Sequence, residues 1–249
     1  MTCHYVSHRY QFLPGQWLDT YVPGVSQAGG FTITSPPAAA TSSASPYLEL
    51  AVQESPGNPP AAWLWHEDPD ALLGETLQVR IGGSFAFPPR DRLDGIDKVV
   101  FVAGGVGVNP IMSMLSHIAS TPPSNPGLRF EIAYASRVSD EGIGKILFLE
   151  RIDALLKSGK VPGSLALFLT SGKEEISEDE RRSWVDRGHV VHKRRIAQQD
   201  LRDLVGGDPE HTVVYICGPP VMTDEAVDFL TSPEGLGMDK SRVMIEKWW

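Results

Sequence analysis

Gly104-Gly105-Val106-Gly107-Val108-Asn109-Pro110 is the stretch on which the fold turns. It follows an apolar run at residues 98–103 and precedes an amphipathic segment at 111–119. A strand, a glycine turn and a helix in that order form a cradle for a phosphate. Glycine keeps Cβ atoms out of the way of a close anion. The helix start supplies unpaired N–H groups and the positive end of the helix dipole. Pro110 suits a first helical turn, where its missing N–H costs nothing.

The spacing departs from the common dinucleotide fingerprint. That pattern reads G-x-G-x-x-G, and the sixth position here is Pro110. It also asks for an acid roughly 20 residues on, at the end of the next strand. The next strand is expected at 128–135, where Glu131 falls in the middle and Ser136 and Arg137 at the end. Gly104, Gly105, Val106, Gly107, Asn109 and Pro110 are therefore candidate nucleotide contacts of a different lineage.

Composition narrows the function classes. The chain has 249 residues, 41% hydrophobic and 21% charged, with a formal net charge of −9. An acidic chain of this kind lacks the basic stripe that nucleic acid requires. Its two cysteines, Cys3 and Cys217, form no disulfide framework and have no metal-ligand spacing. No metal site is expected. No apolar run approaches the ~20 residues of a membrane span. Residues 1–10 show no secretory apolar core and no clear targeting signal.

The chain changes character near residue 95. Before it, short alternating runs at 16–22, 30–34, 47–53 and 75–81 read as strands of a small antiparallel sheet or barrel. A short helix is expected at 60–68, and a mobile Pro/Ala/Ser/Thr surface loop at 36–46. After the polar connector 91–97, strands at 99–103, 128–135, 165–170, 190–192 and 212–217 alternate with helices at 110–120, 145–157, 178–186, 198–205 and 221–230. That alternation gives a doubly wound α/β parallel sheet with ligands beyond its carboxyl edge. The expected domains are an antiparallel β-barrel at 1–95 and a nucleotide-binding domain at 96–249.

A second turn, Cys217-Gly218-Pro219-Pro220, repeats the strand–turn–helix logic. Together, Gly104–Pro110 and the run Tyr215-Ile216-Cys217-Gly218-Pro219-Pro220 resemble the paired nicotinamide motifs of the ferredoxin–NADP reductase superfamily. The order of other segments agrees: Phe12-Leu13-Pro14-Gly15-Gln16-Trp17, Gly29-Gly30-Phe31-Thr32, the strand at 47–52, the turn at 79–85, and Ile245-Glu246-Lys247-Trp248-Trp249. Within the superfamily the chain is most similar to the oxidoreductase NAD-binding domain-containing group of mitochondria. The resemblance covers nearly the whole chain.

The resemblance implies an NAD(P)H-dependent flavoprotein oxidoreductase with an FAD-binding FR-type barrel, passing hydride from NAD(P)H to FAD and electrons to an unidentified acceptor. It implies roles beside the reacting rings for Cys217, Glu246 and Thr32, flavin contacts for Phe31 and Thr32, and a ring-covering role for Trp249. Gly218 and Pro219 join the nucleotide contacts. It also implies a mitochondrial location, with the cytoplasm as the alternative.

Departures weaken the flavin half. The arginine that would pair with a flavin phosphate falls at Gly29, and an expected serine is Ala61. A charge-assisted contact is worth roughly 1.5–3 kcal/mol, so its loss costs about tenfold or more in affinity. Backbone N–H groups at Gly29 and Gly30 are the candidate replacement. The short stretch before Phe12 leads us to expect a barrel lacking its first strand. For the adenine ribose, Ser136, Arg137, Ser171 and Lys173 are the candidates. Gly172 stands where NADP-selecting members carry arginine, so NAD(H) is favoured over NADP(H). No iron–sulfur or haem motif is present. Two alternatives stay open: a non-catalytic NAD(P)(H)-binding module with a degenerate flavin site, and an interaction scaffold.

Overall fold

A computed structural model describes residues 11–65, 69–89, 93–171 and 176–248, together with the backbone of residues 2–4. Trp249 and Lys173, both singled out above, lie outside the described residues.

The parallel sheet is built on β6 (Lys98–Gly104), six of whose seven residues are buried. Strands covered on both faces read as continuous apolar runs, which is why this one is so plain in the sequence. Its neighbours are β7 (Arg129–Val138) and β10 (Thr212–Gly218), both parallel to it. Beyond them lie β8 (Gly163–Ser171), β9 (Val190–His192) and β11 (Val243–Lys247), giving the order β11-β10-β6-β7-β8-β9. The chain runs outward from β6 through β7 to β9, then returns to the other side for β10 and β11. The switch point therefore falls between β6 and β10.

Alternate residues of β6 serve two cores. Val99, Phe101 and Ala103 pack with α3 (Val108–Ser120) and α4 (Leu149–Lys157). Val100 and Val102 pack with α6 (Gln198–Val205) and α7 (Pro220–Thr231), through Leu201, Val205 and Phe229. Helix α5 (Glu178–Asp186) precedes β9 and buries Trp184. Among the described residues no helix is long and apolar enough to cross a membrane.

The antiparallel part contains the sheet β3-β2-β5, made of β2 (Trp17–Tyr21), β3 (Gly29–Thr32) and β5 (Gln78–Gly82). A two-stranded ladder of β1 (Thr2–His4) on β4 (Tyr47–Glu49) joins it through the Ile33–Leu50 bridge. Where the sequence implies no first strand, residues 2–4 form a short one.

Three expectations need correction. The 36–46 stretch is not simply a loop: α1 (Pro37–Ala40) starts it, and Ala40 is buried among Phe12, Leu18, Ile33, Leu48 and Leu50. The helix expected from residue 145 begins only at Leu149, because Phe148 takes a left-handed conformation (φ 59°) behind a short 3-10 turn. A sixth parallel strand, β11, extends the sheet past β10.

The two sheets share one core. Phe85 and Phe87, which follow β5, are buried against Phe101, Phe130 and Tyr215 of the parallel sheet. Polar contacts fix the same junction. The Tyr215 hydroxyl donates to the Ala86 carbonyl (3.0 Å), the Ser113 hydroxyl to the Ser35 carbonyl (2.8 Å), and Arg151 pairs with Glu49 (2.9 Å).

Candidate functional site

The two glycine turns meet at the switch point. Register places Cys217 of β10 opposite Ala103 of β6, one residue before Gly104, and opposite Glu246 of β11 on its other side. Sequence-distant residues are thereby brought to one carboxyl edge, as the two motifs predicted.

The glycines have different reasons for being there. A Cβ on Gly107 would lie 2.5 Å from the Cys217 carbonyl carbon and closer still to its oxygen. One on Gly104 would lie 2.8 Å from the Pro219 ring and 2.9 Å from the Met222 thioether. These two positions are glycine because one turn packs onto the other. Gly105 is different: its φ of 55° is left-handed, and its Cβ position faces the Trp248 ring at 3.4 Å. The sequence reading had assigned all three to anion clearance; two of them serve packing between turns.

Helix α3 begins at Val108 with Gly107 as its N-cap and no capping side chain, so no side chain competes for its N-terminal donors. Pro110 sits in its first turn, as expected. Asn109 is 6% exposed and turned toward the antiparallel part, donating from Nδ2 to the Ala51 carbonyl (3.0 Å). Its Oδ1 is buried with no hydrogen-bond partner among the described residues.

Cys217 is 3% exposed and packs on the sheet face that carries Tyr215, Phe85 and Phe87. Burial, with the Glu246 charge second, pushes its thiol well above the ordinary thiol range, so it is neutral. Burial likewise pushes Glu246 up to about 7. The thiol is no nucleophile; the carboxyl titrates near neutrality.

A stability consequence follows from Glu246. Its folded-state value lies above its ordinary 4.5, so between about pH 4.5 and 7 the folded chain binds more protons than the unfolded one. Stability from this group falls as pH rises through that window. Glu246→Gln lacks the effect, so the melting temperature of the variant relative to the natural chain is expected to climb from pH 4.5 to 8. A pH-independent difference overturns the assignment.

Trp248 is the residue sequence reasoning passed over in favour of Trp249. Its indole Nε1 donates to the Gly104 carbonyl (3.2 Å), its backbone N–H to the Gly218 carbonyl (3.3 Å), and its ring lies against Gly105. The available signal was parity: Trp248 continues the alternation of Met244 and Glu246 along β11.

The remaining candidates lie further out. Phe31 and Thr32 end β3, both half-buried, and the Thr32 hydroxyl has no hydrogen bond among the described residues. Ser136 and Arg137 lie at the carboxyl end of β7, with Arg137 exposed, and Ser171 closes β8 beside Val138. No cluster of His, Cys, Asp or Glu among the described residues could hold a metal ion. The flavin side fits less well. A Cβ on Gly29 would lie 2.6 Å from the Phe31 ring and 2.8 Å from Pro60, so the packing has closed the place of the expected arginine.

An antiparallel sheet set against a doubly wound parallel sheet, with two turns meeting at the switch point, defines a ferredoxin–NADP reductase-like oxidoreductase fold. Residues 101–228 match the oxidoreductase NAD-binding domain family. Oxidoreductase NAD-binding domain-containing protein 1 of Bos taurus is 32% identical over 243 residues, 96% of this chain and 72% of that protein. The propane 2-monooxygenase reductase component of Mycolicibacterium smegmatis is 28% identical over 227 residues, 89% of this chain and 56% of that protein. Among solved structures, the ferredoxin-NADP+ reductase from Plasmodium falciparum matches with a TM-score of 0.64 at 14% identity, covering 96% of this chain and 84% of that one. The chain belongs to the oxidoreductase NAD-binding domain family.

Proposed function

We propose that the chain is an NAD(P)H-dependent reductase that passes hydride to a flat acceptor ring, with residues 96–249 holding the nucleotide and 1–95 the acceptor. The observation that carries this is the meeting of the two turns, which sets an uncapped helix start beside Cys217 and Glu246. In this reading the pyrophosphate lies on Gly104–Pro110 and the α3 N-terminus, with Gly218 and Pro219 as the facing wall. The nicotinamide then reaches Cys217.

In the reaction the C4–H bond of the dihydronicotinamide breaks and its electron pair moves with hydrogen to the acceptor. The nicotinamide is oxidised, the acceptor is reduced by two electrons, and solvent supplies the second proton. The protein's contribution is to hold the two rings in near-attack geometry and exclude water. Phe31 and Thr32 offer the acceptor surface. NADH is favoured over NADPH, because Gly172 stands where NADP-selecting members of the resembled superfamily carry arginine.

Titration with NADH and NADPH, followed by NADH oxidation with riboflavin as acceptor, tests this. Binding with turnover supports the reductase. Tight NADH binding with no turnover favours the alternative of a non-catalytic binding module, and no binding of either nucleotide overturns both.

Trp248 gives a sharper expectation. A nucleotide reaching Gly105 must displace the indole, and displacement lowers apparent affinity by the population of the open state. Trp248→Ala is expected to tighten NADH binding about three- to tenfold. Unchanged or weaker binding in isothermal titration shows that the ring supports the turn and does not guard it.

A further inference from the structure

We propose that the trough between α3 and α4 binds a small amphipathic carboxylate, with its alkyl tail along the two helices and its acid on Lys160. The site is separate from the glycine turns and does not depend on the reductase reading.

Topology sets the direction of the trough. Helix α3 connects β6 to β7 and α4 connects β7 to β8, and the three strands are parallel. Both helices pack on the sheet face that carries Val99 and Phe101, so they lie side by side and run the same way. The amino end of the trough is therefore at Met112 and Arg151, and its carboxyl end at Ala119 and Leu155.

Small residues leave the gap. Packed helices normally interdigitate at interior density. Here Ser116 and Ala119 of α3 are too short to reach α4, and a space of about 390 Å³ stays open between the helices. Clefts that take small molecules begin at about 300 Å³. The floor is apolar: Met112 is buried, and Ala119 and Leu155 pack on the same core. From Met112 to Ala119 the helix rises roughly 10 Å at ~1.5 Å per residue, the extended length of an alkyl chain of about eight carbons.

Charge is unequal along this space. Among the described residues no acid lines it, and its two cations stand at opposite ends. Arg151, at the amino end, is committed elsewhere: its guanidinium meets both oxygens of Glu49 (2.9 and 3.1 Å) and lies over the Phe148 ring. Lys160, just past α4, is exposed, and its ammonium has no hydrogen-bond or ion-pair partner among the described residues.

Helix carboxyl ends often hold a lysine through their open carbonyls. These ends are already covered. The Thr121 N–H (2.8 Å) and the Ser120 hydroxyl (2.9 Å) donate to the His117 carbonyl. The Ser158 N–H donates to the Ala154 carbonyl (3.0 Å) and its hydroxyl to that of Leu155 (2.8 Å). The Lys160 charge is thus left for a ligand. A bare anion would leave the apolar floor wet, and a plain alkane would leave the ammonium unmatched. A carboxylate with an alkyl tail uses both.

The test is isothermal titration of the full chain with butyrate, hexanoate and octanoate, with octanol as the uncharged control. Affinity is expected to rise about two- to fourfold with each added methylene, and octanoate to bind with a dissociation constant of about 1 mM or below. Lys160→Gln, at an exposed position outside the helices, is expected to weaken octanoate about three- to fivefold and to leave octanol unchanged. Filling the trough with Ser116→Leu or Ala119→Phe is expected to remove binding of both. If either filling variant melts early, Lys160→Gln decides alone. Octanoate binding that ignores chain length, survives Lys160→Gln unchanged, only equals that of octanol, or fails to saturate by about 10 mM overturns the proposal.

Discussion

Replacing Gly107 by alanine is expected to destabilise the chain by about 3 kcal/mol and to remove NAD(P)H binding. The added methyl would run into the Cys217 carbonyl, and that atom belongs to the backbone of a fully buried strand. Side chains can swing aside, but a central strand of a packed sheet cannot, so the turns must separate. Overpacking of this kind typically costs 1–3 kcal/mol, a large share of the ~5–15 kcal/mol that holds a domain together. Separation of the turns also moves the α3 N-terminus from Cys217, which is why binding is lost along with stability. Gly105→Ala is the control. Its burden is the left-handed φ of 55° and a mild contact with Trp248, which together cost about 1–2 kcal/mol. Thermal unfolding and NADH titration on both variants decide the matter. If Gly107→Ala melts and binds like the natural chain, turn-on-turn packing does not fix the site.

That contact also marks the boundary of what the sequence could reveal. The strands β6 and β10 were legible because each is covered on both faces and so reads as an unbroken apolar run. The turns after them were legible because glycine and proline punctuate strand ends. Their mutual contact was not, since Gly107 and Cys217 are far apart in the chain and nothing local records their meeting. The glycines accordingly looked like anion clearance alone. Strand β11 was missed for a different reason: Val243-Met244-Ile245-Glu246-Lys247 is short, mixes charge with apolar residues, and becomes a strand only through β10 beside it. Phe148 shows the reverse error, a helical periodicity that ran on through residues 145–148 where the backbone breaks at a left-handed residue. In the antiparallel half the missing charge at Gly29 was visible, but the Phe31 ring and Pro60 of α2 (Pro59–Leu64), which fill the space beside it, were not.

Cys217→Ala is expected to slow NADH oxidation about 10²-fold while leaving the NADH dissociation constant within about twofold. The thiol is neutral because burial and the neighbouring Glu246 charge both disfavour the thiolate, so nucleophilic chemistry is not what it supplies. Its place is what distinguishes it. It is flanked by Ala103 and Glu246, it stands one residue before the end of the buried strand β10, and it shares its sheet face with Tyr215, which is bonded to the antiparallel half. Under the proposed function, a group of that size between the two rings would set how closely the nicotinamide approaches its acceptor. A misplacement of about 1 Å is enough to cost 10²-fold in rate. Removing the sulfur leaves the nucleotide's phosphate contacts on the opposite turn untouched, which is why affinity is expected to hold. Cys217→Ser, with nearly the same shape, should recover most of the rate. Steady-state turnover with riboflavin, set beside direct NADH titration, separates the two roles. Equal losses in rate and affinity, with no recovery in the serine variant, mean that the thiol only packs.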